Sequence, residues 1–443
     1  MTDHEPLKGK KILFHTLGCK LNFSETSHLG RLLTQELGMV PAREGEEPDF
    51  CLVNTCSVTE VADKKSRQLI HRLHREHPGA KIIVTGCYAQ LGAEEISKME
   101  GVALVLGTAQ KGQLAEYLLR SESGELSPEQ HVLTTPIGEA DAFAPSVSSE
   151  GRTRHFLKVQ DGCDYRCSYC TIPRARGKSR NGSVESLVRQ AEEVAREGGR
   201  EIVLTGVNVG DFGKSTGETF LDLIRALGQV EGIERYRISS IEPNLLTPEI
   251  IAFVAGSRKF APHFHIPLQS GSNEVLALMR RRYRREVFAE KVRLIREAMP
   301  DAFIGVDVIA GSRGETPAYF EDSRAFIESL PVTRLHVFPY SERPGTDALH
   351  IPGAVPQEEK RRRTALLMAL SEEKHAAFVS RQIGSERSVL WEHAVKGGYM
   401  YGFTENYVRV RSAALPALSG AITPVRLSRL SDEPEVAEGD ILS

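Results

Sequence analysis

The stretch Asp161-Gly-Cys-Asp-Tyr-Arg-Cys-Ser-Tyr-Cys170 places three of the chain's seven cysteines within eight residues. The spacing, Cys-x3-Cys-x2-Cys, lets Cys163, Cys167 and Cys170 converge on one metal centre from a short loop. Soft thiolates favour an iron–sulfur cluster or zinc over hard cations. A cubane cluster normally takes four cysteines, so three leave one iron open to substrate or cofactor. The loop is a candidate reaction centre, with a structural zinc site and buried thiols without metal as alternatives.

Length and composition indicate a globular protein of several domains. The chain has 443 residues, and its 56 Lys and Arg against 59 Asp and Glu give a net charge of −3, so any basic surface must be local. No apolar run approaches the roughly 20 residues that span a bilayer. The polar segment from Met1 to Lys10 does not resemble a signal peptide. Seven cysteines in this context favour the reducing cytoplasm, without membrane attachment, and metal sites over disulfides.

Residues 1–125 alternate short apolar runs with helical periods, which predicts an open parallel α/β sheet. Cys19, Cys56 and Cys87 each lie at or just after the end of a predicted strand and before a predicted helix. The carboxyl ends of parallel strands share one edge, so these cysteines are expected to converge. Chance placement of core cysteines is the alternative. Cys51, inside its strand, is interpreted as such a core residue.

Residues 126–150, rich in Ser, Glu, Pro and Thr, are interpreted as a linker. Residues 151–378 then alternate strands and helices in the pattern of a partial (β/α)6 barrel. Strands are predicted at 154–160, 201–205, 235–239, 263–266, 303–309 and 334–338. The cysteine loop follows the first strand, on the face where barrel active sites form. Polar or small residues after the other strands suit a small polar cofactor, or are turn residues only: Thr205, Gly206, Asn208, Ser240 and Gln269.

Residues 379–443 have the alternation and turn residues of a small β-barrel. Strands are predicted at 387–393, 402–411, 422–428 and 440–442, with turns at Gly397-Gly398 and Gly439-Asp440. Small barrels of this type often bind RNA through a basic groove and exposed rings. The residues suited to that role are Arg409, Arg411, Tyr399, Tyr401 and Tyr407.

These motifs resemble the radical S-adenosylmethionine methylthiotransferases over essentially the whole chain. The cysteine loop resembles their radical-initiating site, and the C-terminal segment resembles their TRAM RNA-binding domain. Three further segments resemble motifs of their N-terminal domain: Thr16-Leu-Gly-Cys-Lys-Leu-Asn22, Asn54-Thr-Cys56 and Thr85-Gly-Cys87. The branch that modifies threonylcarbamoyladenosine in bacterial tRNA is most similar at residues 172–177, 205–213, 239–244, 280–283 and 336–345. Gly311-Ser312-Arg313-Gly314 departs from the family pattern, in which an apolar residue and Pro stand in the middle.

The resemblance implies two [4Fe-4S] clusters with one open iron each. Cys163, Cys167 and Cys170 would hold the cluster that chelates S-adenosylmethionine, with Tyr169 and the strand-end residues around the cofactor. One electron would then give a 5′-deoxyadenosyl radical, which removes hydrogen from C2 of the modified adenosine at position 37, next to the anticodon. Cys19, Cys56 and Cys87 would hold the second cluster, whose sulfur is methylated by a second S-adenosylmethionine and replaces that hydrogen.

The same resemblance implies partners and a substrate contact. The partners are the anticodon stem-loop of tRNA, an electron-donating reductase and a sulfur source. The basic run beside the cysteine loop, with Arg174, Arg176 and Arg180, would hold substrate phosphate or carboxylate, since guanidinium groups bind such oxygens with paired donors. The target base must leave its stack, which is easiest in a single-stranded loop.

Two other functions remain open from the sequence. One is a related methylthiotransferase that acts on isopentenyladenosine in tRNA or on a ribosomal protein. The other is an RNA-binding protein held together by metal and without catalysis, which predicts zinc or at most one cluster.

Overall fold

The computed structural model describes residues 7–127, 131–135, 143–148 and 153–442. Part of the predicted polar N-terminus and parts of the predicted linker 126–150 lie outside these residues. Within the described ranges, no helix is both long and apolar enough to cross a membrane.

The N-terminal unit is a six-stranded parallel sheet in the order β2-β1-β3-β4-β5-β6. Its helices cover both faces: Leu33 belongs to the core on one face and Ile70 to the core on the other. Cys51 is fully buried in the second core, as expected of an apolar residue. The elements are β1 (Lys11–Thr16), α1 (Lys20–Leu37), β2 (Val40–Pro41), β3 (Phe50–Thr55), α2 (Glu60–Glu76), β4 (Lys81–Gly86), α3 (Cys87–Leu91), α4 (Ala93–Ser97), β5 (Val102–Leu106), α5 (Leu114–Glu122) and β6 (Val132–Leu133).

The central unit is a partial barrel of six parallel strands, as predicted, in the order β8-β11-β12-β13-β14-β15. The pairing weakens between β12 and β13, where isolated bridges such as Ser240 to His265 join two smaller sheets. The elements are β7 (Ser146–Val147), β8 (Arg154–Lys158), β9 (Gln160–Asp161), α6 (Ile172–Arg176), β10 (Arg180–Asn181), α7 (Val184–Arg196), β11 (Glu201–Thr205), α8 (Phe220–Leu227), β12 (Arg235–Ile238), α9 (Pro248–Gly256), β13 (His263–Gln269), α10 (Asn273–Leu278), α11 (Arg285–Ala298), β14 (Phe303–Ala310), α12 (Pro317–Ser329), β15 (Arg334–Pro339) and α13 (Gln357–Gln382).

The described parts of the segment 126–150 pair with the two sheets on either side. Strand β6 extends the N-terminal sheet by pairing with β5, and β7 pairs antiparallel with β8 of the barrel.

The C-terminal unit is a closed five-stranded barrel in the order β16-β17-β18-β20-β19. Gly397 and Gly398, both with positive φ, form the predicted turn. The single strand predicted at 402–411 is wrong, because the chain turns at residues 405–408 and Tyr407 takes a φ of 68°. The turn predicted at Gly439-Asp440 is also wrong, since both residues lie inside the last strand. The elements are β16 (Glu386–Lys396), β17 (Tyr399–Thr404), β18 (Arg409–Ala413), β19 (Ile422–Leu430) and β20 (Val436–Ile441).

A buried carboxylate organises the contact between the central and C-terminal units. Glu201 of β11 binds Arg235 at 3.1 Å and Arg237 at 2.8 Å. Arg237 also donates to the carbonyl oxygens of Thr404 and Glu405, at 2.7 and 2.8 Å. Burial alone would raise the pKa of Glu201, but the two arginines hold it below its ordinary value. The charges are therefore satisfied inside this contact.

Candidate active site

Cys163, Cys167 and Cys170 lie on the loop that leaves the first barrel strand, as predicted, and each sulfur accepts a hydrogen bond. The backbone N–H groups of Tyr165 and Ile172 donate to Cys163 and Cys170, both at 3.4 Å. Burial and the neighbouring Cys167 raise the pKa of Cys170 to about 12. A group of half-buried thiols with donors already aimed at its sulfurs fits a cationic metal centre, which binds thiolates and releases their protons.

Arg281, in the basic run 280–285, is a candidate functional side chain that sequence reasoning missed. Its guanidinium donates to Cys167 Sγ at 3.1 Å and to the hydroxyl of Tyr169 at 3.4 Å. Glu242, in the loop after β12, is its ion-pair partner. The arrangement puts one fixed, buried cation directly on a candidate thiolate ligand. No sequence pattern identifies which of five neighbouring arginines would do this.

The polar residues at the strand ends lie at the same edge of the barrel as the cysteine loop. Thr205 ends β11, Gly206 follows it, Ser240 follows β12, and Gln269 ends β13 with a φ of 67°. Asn208 accepts a hydrogen bond from the N–H of Glu242 at 3.3 Å.

One buried polar atom at this edge is left over. The side-chain nitrogen of Asn208 has no hydrogen-bond partner among the residues that the structure describes. A buried donor without a partner costs about 1–3 kcal/mol, so a polar ligand at this edge would relieve it. The strand-end residues therefore fit a small polar cofactor beside the cysteine loop.

Cys19, Cys56 and Cys87 come together at the carboxyl ends of the adjacent strands β1, β3 and β4. Gly18 has a φ of 101°, and a Cβ there would lie 2.6 Å from Cys56 Cβ. Cys19 is also the N-cap residue of α1. Burial and the neighbouring Cys87 raise the pKa of Cys56 to about 12. This second trio likewise fits a metal centre, and all seven cysteines of the chain are free thiols.

The two cysteine trios adjoin each other. Thr171, next to Cys170, donates to the carbonyl oxygen of Ser57, next to Cys56, at 3.4 Å. Helix α3, which begins at Cys87, packs against α6, which follows the cysteine loop. The trios therefore share one interface rather than serving separate sites.

A buried charge network spans that interface and corrects the expectation for two arginines. Arg176 is 1% exposed and pairs with Glu25 of α1 at 2.9 Å and with Asp161 at 3.0 Å. Arg180 pairs with Asp161 at 3.1 Å. Both guanidinium groups are occupied by carboxylates, so neither is a contact for a substrate phosphate or carboxylate. Lys111 and Lys158 complete the network around Glu25.

Arg174 differs from its neighbours because it is exposed, and it donates to the carbonyl oxygen of Pro344 at 2.7 Å. It is the one member of the predicted substrate-binding set that a substrate can reach.

The C-terminal barrel also departs from the RNA contacts expected of it. Tyr407 turns inward, where it receives a hydrogen bond from Arg154 at 3.2 Å. Arg411 pairs with Asp432, Glu433 and Glu438. Tyr399 and Arg409 remain exposed, so the surface open to RNA is smaller than the sequence suggested.

The unusual segment 311–314 is held by its own contacts. Gly311 donates its N–H to Glu315 at 2.7 Å, and Arg313 pairs with Glu342 at 2.7 Å. The arginine therefore ties this loop to the segment after β15, where the family pattern would place a rigid Pro.

Comparisons with known proteins agree with this architecture. The Radical SAM superfamily model matches residues 157–327, which contain the cysteine loop and most of the barrel. The model described as Uncharacterized protein family UPF0004 matches residues 11–107, which contain Cys19, Cys56 and Cys87. Among solved structures, the radical S-adenosylmethionine methyltransferase TsrM of Kitasatospora setae shares the fold. Its TM-score is 0.58 at 16% identity, with 77% of each chain covered.

Curated relatives match over nearly the full length. The threonylcarbamoyladenosine tRNA methylthiotransferase MtaB of Bacillus subtilis is 37% identical over 94% of this chain and 93% of its own. MtaB of Aquifex aeolicus is 36% identical over 90% and 96%. The tRNA-2-methylthio-N(6)-dimethylallyladenosine synthase of Wolinella succinogenes is 31% identical over 94% and 96%. The barrel and its loop place the protein among radical S-adenosylmethionine enzymes. Within them, the chain belongs to the tRNA methylthiotransferase family.

Enzymes of this family use S-adenosylmethionine and two [4Fe-4S] clusters. The chain offers two trios of free cysteines, each gathered at the carboxyl ends of parallel strands, so the residues present fit the cofactors.

Proposed function

We propose that this enzyme transfers a methylthio group to C2 of N6-threonylcarbamoyladenosine at position 37 of tRNA. The observation that carries the proposal is the junction of the two cysteine trios, where Thr171 meets Ser57 at 3.4 Å. Radical initiation and sulfur insertion must act on the same carbon, so the two centres have to face one base.

The residues have separate roles in this proposal. Cys163, Cys167 and Cys170 hold the cluster that binds S-adenosylmethionine, with Asn208 and the other strand-end residues around the cofactor. Cys19, Cys56 and Cys87 hold the sulfur-donating cluster. When bound, these groups supply a 5′-deoxyadenosyl radical and a methylated sulfur. A radical is needed because the aromatic C2–H has no acidic proton for a base to remove, and the protein's task is to position and shield the reaction.

Arg281 and Arg174 would act on either side of the first centre. Arg281 stabilises Cys167 as a thiolate through its hydrogen bond at 3.1 Å, and Glu242 holds the guanidinium in place. Arg174 is exposed beside the cysteine loop and would contact RNA phosphate. The proposed division of the chain is a sulfur-donating domain at 1–125, a linker at 126–150, a radical domain at 151–378 and an RNA-binding domain at 379–443.

Relatives named MtaB support the threonylcarbamoyl substrate. Relatives named for dimethylallyladenosine make that base the competing substrate. In the proposal the enzyme works in the cytoplasm on the anticodon stem-loop, with a reductase as electron donor and a separate sulfur source.

Nucleoside mass spectrometry tests the substrate. The measurement compares tRNA from cells with and without the gene, and tRNA from cells complemented with Cys167→Ala as the control. We expect 2-methylthio-threonylcarbamoyladenosine to disappear without the gene and to stay absent with the variant. Loss of the 2-methylthio-isopentenyl nucleoside instead would assign the competing substrate.

Iron and sulfide analysis tests the cofactor assignment. Protein reconstituted without oxygen is expected to bind about eight iron and about eight sulfide per chain, as two cubane clusters require. Zinc without labile sulfide would identify a metal-stabilised RNA-binding protein instead.

A further inference from the structure

Three polar side chains on β13, β14 and β15 face the interior of the partial barrel. On these strands Ile266, Val306 and Leu335 belong to the core between the strands and the outer helices. Side chains alternate along a strand, so His265, Asp307 and His336 point the opposite way. Their strands are adjacent, and Asp307 is the direct pairing partner of His336. A barrel interior filled only for packing would carry branched apolar residues here.

These three side chains form a compact set. His265 Nε2 and Asp307 Oδ1 lie 2.7 Å apart, which fixes both groups. The His336 ring meets the His265 ring edge to face at 5.2 Å. A ligand atom from each of the three lies within 4.8 Å of the others. Gly305 leaves room for this arrangement, because a Cβ there would lie 3.3 Å from His336 Nε2.

The set has polar capacity that the protein does not use. In the described part of the chain, the His336 side chain makes no hydrogen bond, and the Asp307 carboxylate makes only the one to His265. All three side chains are reached by solvent. Burial, followed by the charge of His265, lowers the pKa of His336 to about 4, so its ring is neutral and able both to donate and to accept a hydrogen bond.

The set lies within electrostatic range of charged groups beside both cysteine trios. On the side of the cysteine loop that group is Glu242, the ion-pair partner of Arg281. Burial raises the pKa of Glu242, and the charges of Asp211 and Asp307 add to that effect, so Asp307 lies within electrostatic range of Glu242. From the other trio, the charge of Lys20, the residue after Cys19, acts on His336. Its ammonium group has no hydrogen-bond or ion-pair partner within the described residues.

The hydrogen-bonding groups of the set and the ammonium group of Lys20 match the functional groups of a threonylcarbamoyl substituent. A threonylcarbamoyl substituent carries a carboxylate, a hydroxyl and a urea-type N–H. An ammonium group suits the carboxylate, a free carboxylate oxygen accepts from the hydroxyl or N–H, and a neutral imidazole serves either. An isopentenyl group offers no hydrogen bonds, and it would leave these groups unpaired in a confined interior.

We propose that His265, Asp307 and His336, together with Lys20, form the pocket that receives the threonylcarbamoyl substituent and rejects an apolar one. This inference rests on the proposed function and names its specificity determinant. A site built to hydrogen-bond a substrate discriminates against an analogue without those groups more strongly than an apolar pocket discriminates by size.

The test measures binding as well as turnover. Cluster-loaded enzyme is titrated into fluorescent anticodon stem-loops that carry threonylcarbamoyladenosine or isopentenyladenosine, and the ratio of the two Kd values is the readout. His336→Phe keeps an aromatic ring and removes the polar atoms, and Lys20→Met removes the cation. Gly305→Ala pushes on the rings of Phe303 and His336 without replacing either. His77→Phe is the matched control, since His77 follows the end of α2 and contacts Glu47.

In the wild type we expect a preference for threonylcarbamoyladenosine. The ratio should fall at least about tenfold in His336→Phe and Lys20→Met, by less in Gly305→Ala, and stay within about twofold in His77→Phe. The KM for threonylcarbamoyladenosine should rise more than kcat falls. Variants whose iron content is near the wild-type value are folded and carry their clusters. If His336→Phe binds too little iron, the Kd ratio of Gly305→Ala decides the test.

Two results would overturn the inference. In the first, the wild type prefers threonylcarbamoyladenosine and the cluster-containing variants keep the wild-type ratio of Kd values. The pocket would then be wrong, while the proposed function would stand. The other is a stoichiometric divalent metal beyond cluster iron that His336→Phe removes, which would make the set a metal site. A wild type that prefers isopentenyladenosine contradicts the proposed function itself.

Discussion

Glu25 and Arg176, 151 residues apart in sequence, form a buried two-point ion pair with oxygen–nitrogen distances of 2.9 and 3.2 Å. Glu25 lies on the helix that begins after Cys19, and Arg176 ends the short helix after Cys170. Burial would raise the pKa of Glu25, but Arg176, Lys111 and Lys158 hold it well below its ordinary range. The pair therefore fixes one cysteine trio against the other.

Removing Arg176 should destabilise the folded protein strongly. In Arg176→Met the carboxylates of Glu25 and Asp161 keep their lysine and Arg180 partners but each lose a buried charge-assisted hydrogen bond, and each such bond contributes about 1.5–3 kcal/mol. Urea unfolding followed by circular dichroism measures the loss. The control Arg189→Met disrupts only an exposed pair with Glu185 at 3.8 Å, and its effect should stay within about 0.5 kcal/mol. Equal unfolding midpoints for the two variants would contradict a structural role for the network.

Cys56→Ala should separate the two half-reactions. In the proposed function the cluster on Cys163, Cys167 and Cys170 keeps all its ligands, so reductive cleavage of S-adenosylmethionine should continue. Transfer of the methylthio group should be lost, because the proposed sulfur-donating site keeps only two cysteines. Chromatography of 5′-deoxyadenosine and mass spectrometry of the stem-loop measure both. If a folded variant that retains the first cluster lost both activities, the division of labour would be wrong.

Gly86→Ala should remove the second cluster and spare the first. Gly86 has a φ of 105°, and a Cβ there would lie 2.3 Å from the carbonyl oxygen of Thr55. The backbone beside Cys56 and Cys87 must then shift, so iron should fall from about eight to about four per chain. Gly79→Ala is the control, since a Cβ there has no neighbour within 4 Å. Unchanged iron in Gly86→Ala would show that the trio tolerates the shift.

Glu201→Gln should weaken the contact of the C-terminal barrel in a pH-dependent way. Arg237 and Arg235 hold the pKa of Glu201 below its ordinary value against the effect of burial. The stabilisation is therefore complete above the unfolded pKa of about 4.3 and is lost as the pH falls through the folded pKa. At neutral pH the variant should lose about 3–5 kcal/mol.

Trp391 provides the readout for this variant. It is the only tryptophan of the chain and is fully buried in the C-terminal barrel, so its fluorescence follows the unfolding of that unit. The difference between wild type and Glu201→Gln should shrink below about pH 4. A difference independent of pH would mean that the carboxylate charge does not hold the contact.

The sequence was sufficient to place the cysteines but not their surroundings. Cys19, Cys56 and Cys87 could be assigned to one sheet edge because strand and helix periods are local signals. Arg176 could not be assigned correctly, because its partner Glu25 is remote in sequence and nothing local distinguishes a buried arginine from an RNA contact. The turn at Tyr407 was missed because a tyrosine with positive φ is an unusual turn residue.

The sequence contains a signal for the three polar residues that face the barrel interior. His265, Asp307 and His336 are polar residues inside strands whose alternate positions are buried and apolar. Reading each strand for its interior face as well as its ends would have identified them.

The packing of Phe303 limits how the enzyme would select a nucleotide in its RNA substrate. This residue begins a central-barrel strand but packs in the core of the C-terminal barrel with Phe378 and Trp391. The C-terminal unit therefore shares a hydrophobic core with the central unit and does not move as a separately tethered domain. An RNA bound to the C-terminal unit would present its bases at a fixed distance from the cysteines. In the proposed function, the enzyme would then select position 37 by its distance from the bound part of the RNA as much as by the nucleotides around it.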